Sequence, residues 1–170
     1  IIVPYQDLNY VPFHALFDGF GYAIENREII YAPSASIWAH CLSKTRPLKE
    51  KVLLFGAADE KNPQVRDEIK SLAEIFPESD SYLDEKATIN ALFENAESAN
   101  ILHLACHGKF RSDNPLFSSL KLGDGFLTVR DAYNLNLKNC RLTVLSACET
   151  GISKIAKGEE LLGLIRGFLS

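Results

Sequence analysis

The stretch Leu142-Thr-Val-Leu-Ser-Ala-Cys-Glu-Thr-Gly151 constrains this chain more than any other. It reads as a buried apolar strand that runs directly into Cys148 and a polar, turn-like Glu149-Thr-Gly151. A second stretch has the same design: Ile101-Leu-His-Leu-Ala-Cys-His107-Gly108, an apolar strand delivering a histidine and then a glycine. Open α/β sheets place their chemistry at the carboxyl ends of their strands. A cysteine and a histidine at two such ends are the minimum constellation for a thiol nucleophile and its base.

The bulk composition narrows the field. At 170 residues the chain suits one domain with a full core. A hydrophobic content of 46% and a charged content of 24% are ordinary for a globular protein. A net charge of −4 gives no reason to expect nucleic acid or an anionic membrane as partner. No apolar run approaches the roughly 20 residues of a membrane span, and there is no signal-peptide pattern. Cys41, Cys106, Cys140 and Cys148 are expected as reduced thiols, since a chain with a full core does not need disulfides; a cytoplasmic location follows as an expectation. The chain begins at Ile1 and stops at Ser170 inside an apolar helical pattern, so it is expected to be an excised piece of something longer.

Taken in order, short strands are expected at 1–3 and 28–32, with a helical turn after Pro12 and a helix opened by Ser34 as N-cap, Ile37, Trp38, Cys41 and Leu42 on one face. Residues 51–56 form a continuous apolar run, the mark of a strand covered on both faces. Asn62-Pro63 marks a helix start, with Val65, Ile69, Leu72, Ile75 and Phe76 as its buried stripe and Pro77 as its end. A strand at 80–83 and a helix near 88–97 follow, the latter carrying Ile89, Leu92, Phe93 and Ala96. After the His107 strand, Gly123-Asp-Gly125 signals a hairpin, and Thr128-Val-Arg-Asp131 has capping-box spacing. The Cys148 strand is expected at 141–147 and a final helix over 161–169. Strands alternate with helices throughout. That predicts a mostly parallel sheet, helices on both faces, and a small attached hairpin.

Each candidate has a plainer reading. Free cysteine is among the most buried residue types, so Cys148 alone is as well explained as core; its position at the polar end of a strand favours chemistry, for which the thiolate is required. His107 alone reads as a satisfied polar residue. On a neighbouring strand its imidazole can take the thiol proton or protonate a leaving amine, and the N–H groups of Gly108 and Cys148 can stabilise an oxyanion. His103 and Cys106 raise the question of a metal, but they alternate to opposite faces of a strand and no Cys-x-x-Cys pair supports zinc; no metal and no cofactor are expected. Cys106 reads as core and Cys140 as surface or structural. Asp124 is a candidate pocket carboxylate, although a hairpin turn is reason enough for it. Gly163 and Gly167, four apart on the last helix, point to close packing.

These residues together resemble the CHAT domain, the caspase-like family often attached to TPR repeats, within the caspase, gingipain, legumain and separase group of cysteine peptidases. His-Leu-Ala-Cys-His107-Gly108 and Leu-Ser-Ala-Cys148-Glu-Thr-Gly151 carry the resemblance. Tyr31-Ala-Pro-Ser-Ala35, Leu54-Phe-Gly56, Asn114-Pro-Leu-Phe-Ser-Ser-Leu120 and Asp124-Gly-Phe-Leu-Thr128 extend it over nearly the whole chain. It implies a three-layer α/β/α caspase-like sandwich, here a single domain spanning 1–170 that lacks the family's last strands. It implies His107 as general base or acid, Cys148 as nucleophile, and the backbone of Gly108 and Cys148 as oxyanion hole. It also implies a TPR or other repeat module in the parent chain.

The leading expectation is therefore a cysteine endopeptidase that cleaves a protein or peptide substrate through a thioester. The acidic residues Asp124, Glu149, Glu159 and Glu160 lean weakly toward a basic residue before the scissile bond. Two rivals remain: a non-catalytic interaction module that keeps the fold, and a thiol hydrolase acting on small molecules, which a deep closed pocket would favour.

Overall fold

The computed structural model describes residues 1–44, 50–109, 111, 114–148 and 167–168, with the backbone alone at 115 and 148. The chain divides into two compact units, Ile1–Ser43 and Lys44–Ser170.

In the first unit the expected strands contract to one parallel bridge between Ile2 and Tyr31. Ile2 N–H donates to the Ile30 carbonyl at 2.7 Å and Ala32 N–H to the Ile2 carbonyl at 2.9 Å. Pro4 and Pro33 lie just beyond, and neither has the N–H that a longer ladder needs. Short 3-10 turns occupy Gln6–Tyr10 and Phe13–Ala15, the second directly after Pro12 as expected. Two helices follow, α1 (Ala23–Asn26) and α2 (Ala35–Ser43). Ser34 caps α2, its Oγ accepting from Ile37 N–H at 3.1 Å. On α2, Ile37 and Trp38 are half-buried while Cys41 and Leu42 are exposed.

The second unit is built on a mixed sheet. Its elements are β1 (Val52–Ala57), α3 (Val65–Ile75), β2 (Asp80–Leu83), α4 (Ile89–Asn95), β3 (Ile101–Lys109), β4 (Ser119–Leu122), β5 (Gly125–Thr128), α5 (Val129–Ala132) and β6 (Leu142–Cys148). β2, β1, β3 and β6 run parallel with β3 central, and the β4–β5 hairpin joins antiparallel at the far end of β3. The α/β class, the mostly parallel sheet and the hairpin are as the sequence predicts.

The unbroken apolar runs of β1 and β3 follow from cover on both faces. Leu53 and Phe55 of β1 and Leu102 and Leu104 of β3 share one core with Leu92 of α4, Val129 and Ala132 of α5, and Phe168. Val52, Leu54, Ile101 and Ala105 alternate to the other side, against Val65 and Ile69 of α3. Each fully buried side chain of this size contributes about 1.5–3 kcal/mol.

Local signals survive well. Thr128 and Asp131 form the expected capping box: Thr128 N–H donates to Asp131 Oδ2 at 2.9 Å, and Asp131 N–H to Thr128 Oγ1 at 3.2 Å. Gly123 sits so close to Asp84 that a Cβ there would lie 2.1 Å from the Asp84 carbonyl oxygen.

Three expectations need correction. β3 continues through Lys109, because β4 takes up the pairing (Gly108 with Leu120, Lys109 with Ser119) where β1 ends at the Ala57–Cys106 pair. His107 is therefore inside a strand, not the first residue past one. Similarly β6 runs one residue further, to include Cys148, because it pairs with that extended β3. The stripe of α3 is shorter than predicted: Val65 and Ile69 are buried and Leu72 half-buried, but Ile75 is 67% exposed, since the core beneath ends at Leu72 and Ala73.

α3 lies directly on the sheet at Gly56. A Cβ there would come 2.5 Å from Ile69 Cγ1 and 3.0 Å from Leu83 Cδ2. Gly56→Ala is expected to lift α3 and cost about 1–3 kcal/mol of stability, read as a lower urea midpoint with unchanged slope.

Cys106 is core, as predicted, 2% exposed. Burial, and after it the Asp59 carboxylate, pushes its thiol from 9.0 up to about 12. In the unfolded chain the thiol ionises from about pH 9, whereas the folded protein holds it protonated. The stability linked to it is thus complete below pH 9 and drains away as pH rises toward 12, by at most about 4 kcal/mol at about 1.36 kcal/mol per pH unit. Melting temperature should fall more steeply above pH 9 in the wild type than in Cys106→Ala. Iodoacetamide at pH 8 should label exposed Cys41 and spare Cys106 until the protein is denatured, read by peptide mass mapping.

Candidate active site

The pairing of β3 with β6 brings the two sequence motifs together. Ile101 pairs with Leu142, His103 with Val144, Ala105 with Ser146, and His107 with Cys148. Neighbouring strands run about 4.8 Å apart, and cross-strand partners share a face of the pleat. His107 and Cys148 thus occupy one register position, on adjacent parallel strands, at the carboxyl end of the sheet.

The face is identified by the partners of nearby side chains. Leu145 and Ala147 pack against the core that holds Leu102, Leu104 and Cys106. Ser146 turns to the α3 side, where its Oγ donates to Glu68 Oε2 at 3.1 Å. The other oxygen of the same carboxylate, Oε1, meets His103 Nε2 at 2.8 Å. An ionised carboxylate only accepts, so His103 presents Nε2–H to it. Glu68 on α3 therefore ties β3 to β6 two residues before Cys148. Cys148 follows Ser146 by two residues along β6.

The segment leading into α3 reaches His107. The Asn62 side-chain amide approaches His107 Nδ1 at 3.4 Å. An amide can offer that nitrogen either its N–H or its carbonyl oxygen, so the contact orients the ring without choosing its tautomer. Asp59 stands close by. Its Oδ1 accepts the N–H groups of Lys61 and Asn62, each at 3.0 Å, and its Oδ2 lies 3.7 Å from Lys121 Nζ. Burial works to raise the Asp59 carboxyl, but those two backbone N–H groups, then Lys121 and His107, hold it below the usual carboxylate range. His107 thus lies beside a carboxylate held in its charged form.

Between α3 and the end of β6 lies a cavity of about 210 Å³, lined by Asn62, Gln64, Glu68, Ser146 and Ala147 among others. It adjoins His107 through Asn62 and Cys148 through Ala147.

Of the other expected site residues, Gly108 directly follows His107 in β3. Asp124 is in the hairpin turn, where its Oδ1 accepts Ile89 N–H at 2.8 Å and so caps α4. Gly108 is buried within β3 and pairs with Leu120. Glu149, Glu159, Glu160 and Gly163 lie outside the described residues, as does most of the expected 161–169 helix. Gly167 is described: a Cβ there would meet Val129 and Ala132 at 3.2–3.3 Å, the close packing expected of it. Among the described residues no group of three His, Cys, Asp or Glu side chains is arranged to hold a metal ion, and no helix is long and apolar enough to cross a membrane.

Sequence reasoning passed over Glu68, Asn62 and Asp59. A signal for Glu68 was present. Positions 65, 68, 69 and 72 form one helical stripe, and three of them are Val65, Ile69 and Leu72. A carboxylate in the fourth place asks for buried donors. Asn62 gave no signal of its own, having a sufficient reason as a helix-start residue.

Among curated proteins no relative matches the chain. Among protein families the CHAT domain matches it over residues 1–170, which include both motifs and every strand of the sheet. The chain belongs to the CHAT domain family, a caspase-like relation of the cysteine peptidases.

Proposed function

We propose that this chain is a cysteine endopeptidase domain with Cys148 as nucleophile and His107 as its base. The observation that carries the reading is the His107–Cys148 pairing in the β3–β6 register. With the Asn62 side-chain oxygen turned to accept from Nδ1–H of the imidazole, Nε2 is the free nitrogen for the thiol. In the reaction His107 takes the Cys148 proton, and the sulfur adds to the scissile carbonyl carbon. The N–H groups of Gly108 and Cys148 receive the developing oxyanion. As the tetrahedral species collapses, the C–N bond breaks, the amine leaves with the proton from His107, and a thioester remains. His107 then activates a water that hydrolyses the thioester and restores the thiol.

The same reading takes the fold as the three-layer caspase-like sandwich, a single domain over 1–170. α3 on one face of the sheet and α4 and α5 on the other are consistent with it. A protein or peptide substrate, a repeat module of the TPR kind and a cytoplasmic setting belong to this proposal, and the chemistry needs no cofactor.

The test is cleavage of a peptide library and of candidate partner proteins by wild type, Cys148→Ala and His107→Ala, with new termini mapped. Cysteine removal is expected to abolish cleavage, and histidine removal to slow it by about 10²–10⁴-fold. Cleavage that survives in Cys148→Ala would overturn the assignment.

A further inference from the structure

The cavity beside Ser146 and Ala147 is about 210 Å³. Small-molecule sites run to about 300–1,000 Å³, so this one suits a single side chain of a longer ligand. Its described lining residues carry one charged group, Glu68; Asn62, Gln64 and Ser146 add neutral polar groups. The Glu68 side chain is 35% exposed even though both its oxygens are hydrogen-bonded. A carboxylate offers about four lone-pair sites. His103 and Ser146 take one on each oxygen, and one on each remains.

We infer that Glu68 makes this cavity a subsite for a basic side chain, taking the arginine or lysine whose carbonyl lies at Cys148. The inference rests on the peptidase reading for the role of that residue, but not for the binding itself. The guanidinium or ammonium group replaces water at the outer lone pairs of Glu68, with the amide oxygens of Asn62 and Gln64 as further acceptors. The aliphatic stem lies along Val65 and the backbone of Ala147. Hydrophobic side chains of the same length leave the carboxylate dehydrated and unpaired, and acidic ones meet like charge, so both are rejected.

The experiment uses the full chain carrying Cys148→Ala, which binds without turning over. Fluorescent peptides identical except for Arg, Lys, Leu or Asp at one position are titrated by polarisation. Arg and Lys peptides are expected to bind at least about tenfold tighter than Leu or Asp peptides. That preference should collapse when Glu68→Gln is added, a change that keeps the carbonyl oxygen as acceptor for His103 and lets the Ser146 hydroxyl turn to accept from the amide N–H. Equal or tighter binding of the Leu or Asp peptide, binding of none of the four, or an Arg preference that survives Glu68→Gln in folded protein each overturn the inference. The Cys148→Ala comparison stands even if Glu68→Gln fails to fold. The same peptides given to wild type separate the two claims. Selective binding without cleavage refutes the peptidase and leaves the basic subsite; cleavage after Leu or Asp does the reverse.

Discussion

The parallel pairing of β3 with β6 is the constraint on which the rest depends. Side chains alternate with a period of two, so a slip of one residue would carry Cys148 to the face opposite His107. Two unlike sets of contacts prevent the slip. On one face Leu145 and Ala147 pack against the Leu102–Leu104 core. On the other, Ser146 and His103 are both held by Glu68. An apolar core alone tolerates sliding, because one methyl group packs much like another. A hydrogen bond of 2.8 Å between named atoms does not, and the unmet donors would each cost about 1–3 kcal/mol if the strands shifted.

The two faces of the sheet divide the work accordingly. The face under α4 and α5 carries the larger core. The α3 face has a smaller core, from Val52 to Ala105, and gives way to polar groups as the strands approach their carboxyl ends. Along β3 the sequence Ile101, His103, Ala105, His107 records that gradient on a single face, and along β6 Leu142, Val144, Ser146, Cys148 repeats it. Chemistry at the strand ends requires such a transition, since a nucleophile must meet substrate while its supports stay fixed. Gly56 matters here because it lets α3 lie close enough for Asn62 and Glu68 to reach the two strands.

What the sequence made legible was local. Strand β2, the hairpin about Gly123 and Asp124, the Ser34 cap and the Thr128–Asp131 box depend on residues within a few positions of one another, and they fold where their patterns lie. The alternation that assigned Cys106 to the core and His103 to the opposite face also needed only the strand's own period. Misreadings arose where a distant element decides. β3 is lengthened past His107 by β4, and the bridge at Ile2 stays single between two prolines. The outer end of the α3 stripe, at Ile75, finds no core beneath it. Of the site, the two motifs were legible and their side-by-side register was not, because nothing in either strand states which strand is its neighbour. The roles of Asn62 and Asp59 were hidden for the same reason.

Glu68 shows how a structural need and a functional one can share a residue. A leucine at 68 would complete the stripe of Val65, Ile69 and Leu72, but it would leave His103 Nε2 and Ser146 Oγ without an acceptor. An acceptor is therefore required by the packing. A charge is not: a glutamine can accept from His103 through its carbonyl oxygen and donate its N–H to the Ser146 hydroxyl, which accepts as well as donates. Desolvating a carboxylate costs more than desolvating an amide, and hydrogen bonding to His103 and Ser146 does not by itself call for the charge. Partial exposure to the cavity lowers the cost, and a cation in the cavity would reverse it. The negative charge is thus the part of Glu68 that the fold leaves unexplained, and it faces the space beside the proposed nucleophile.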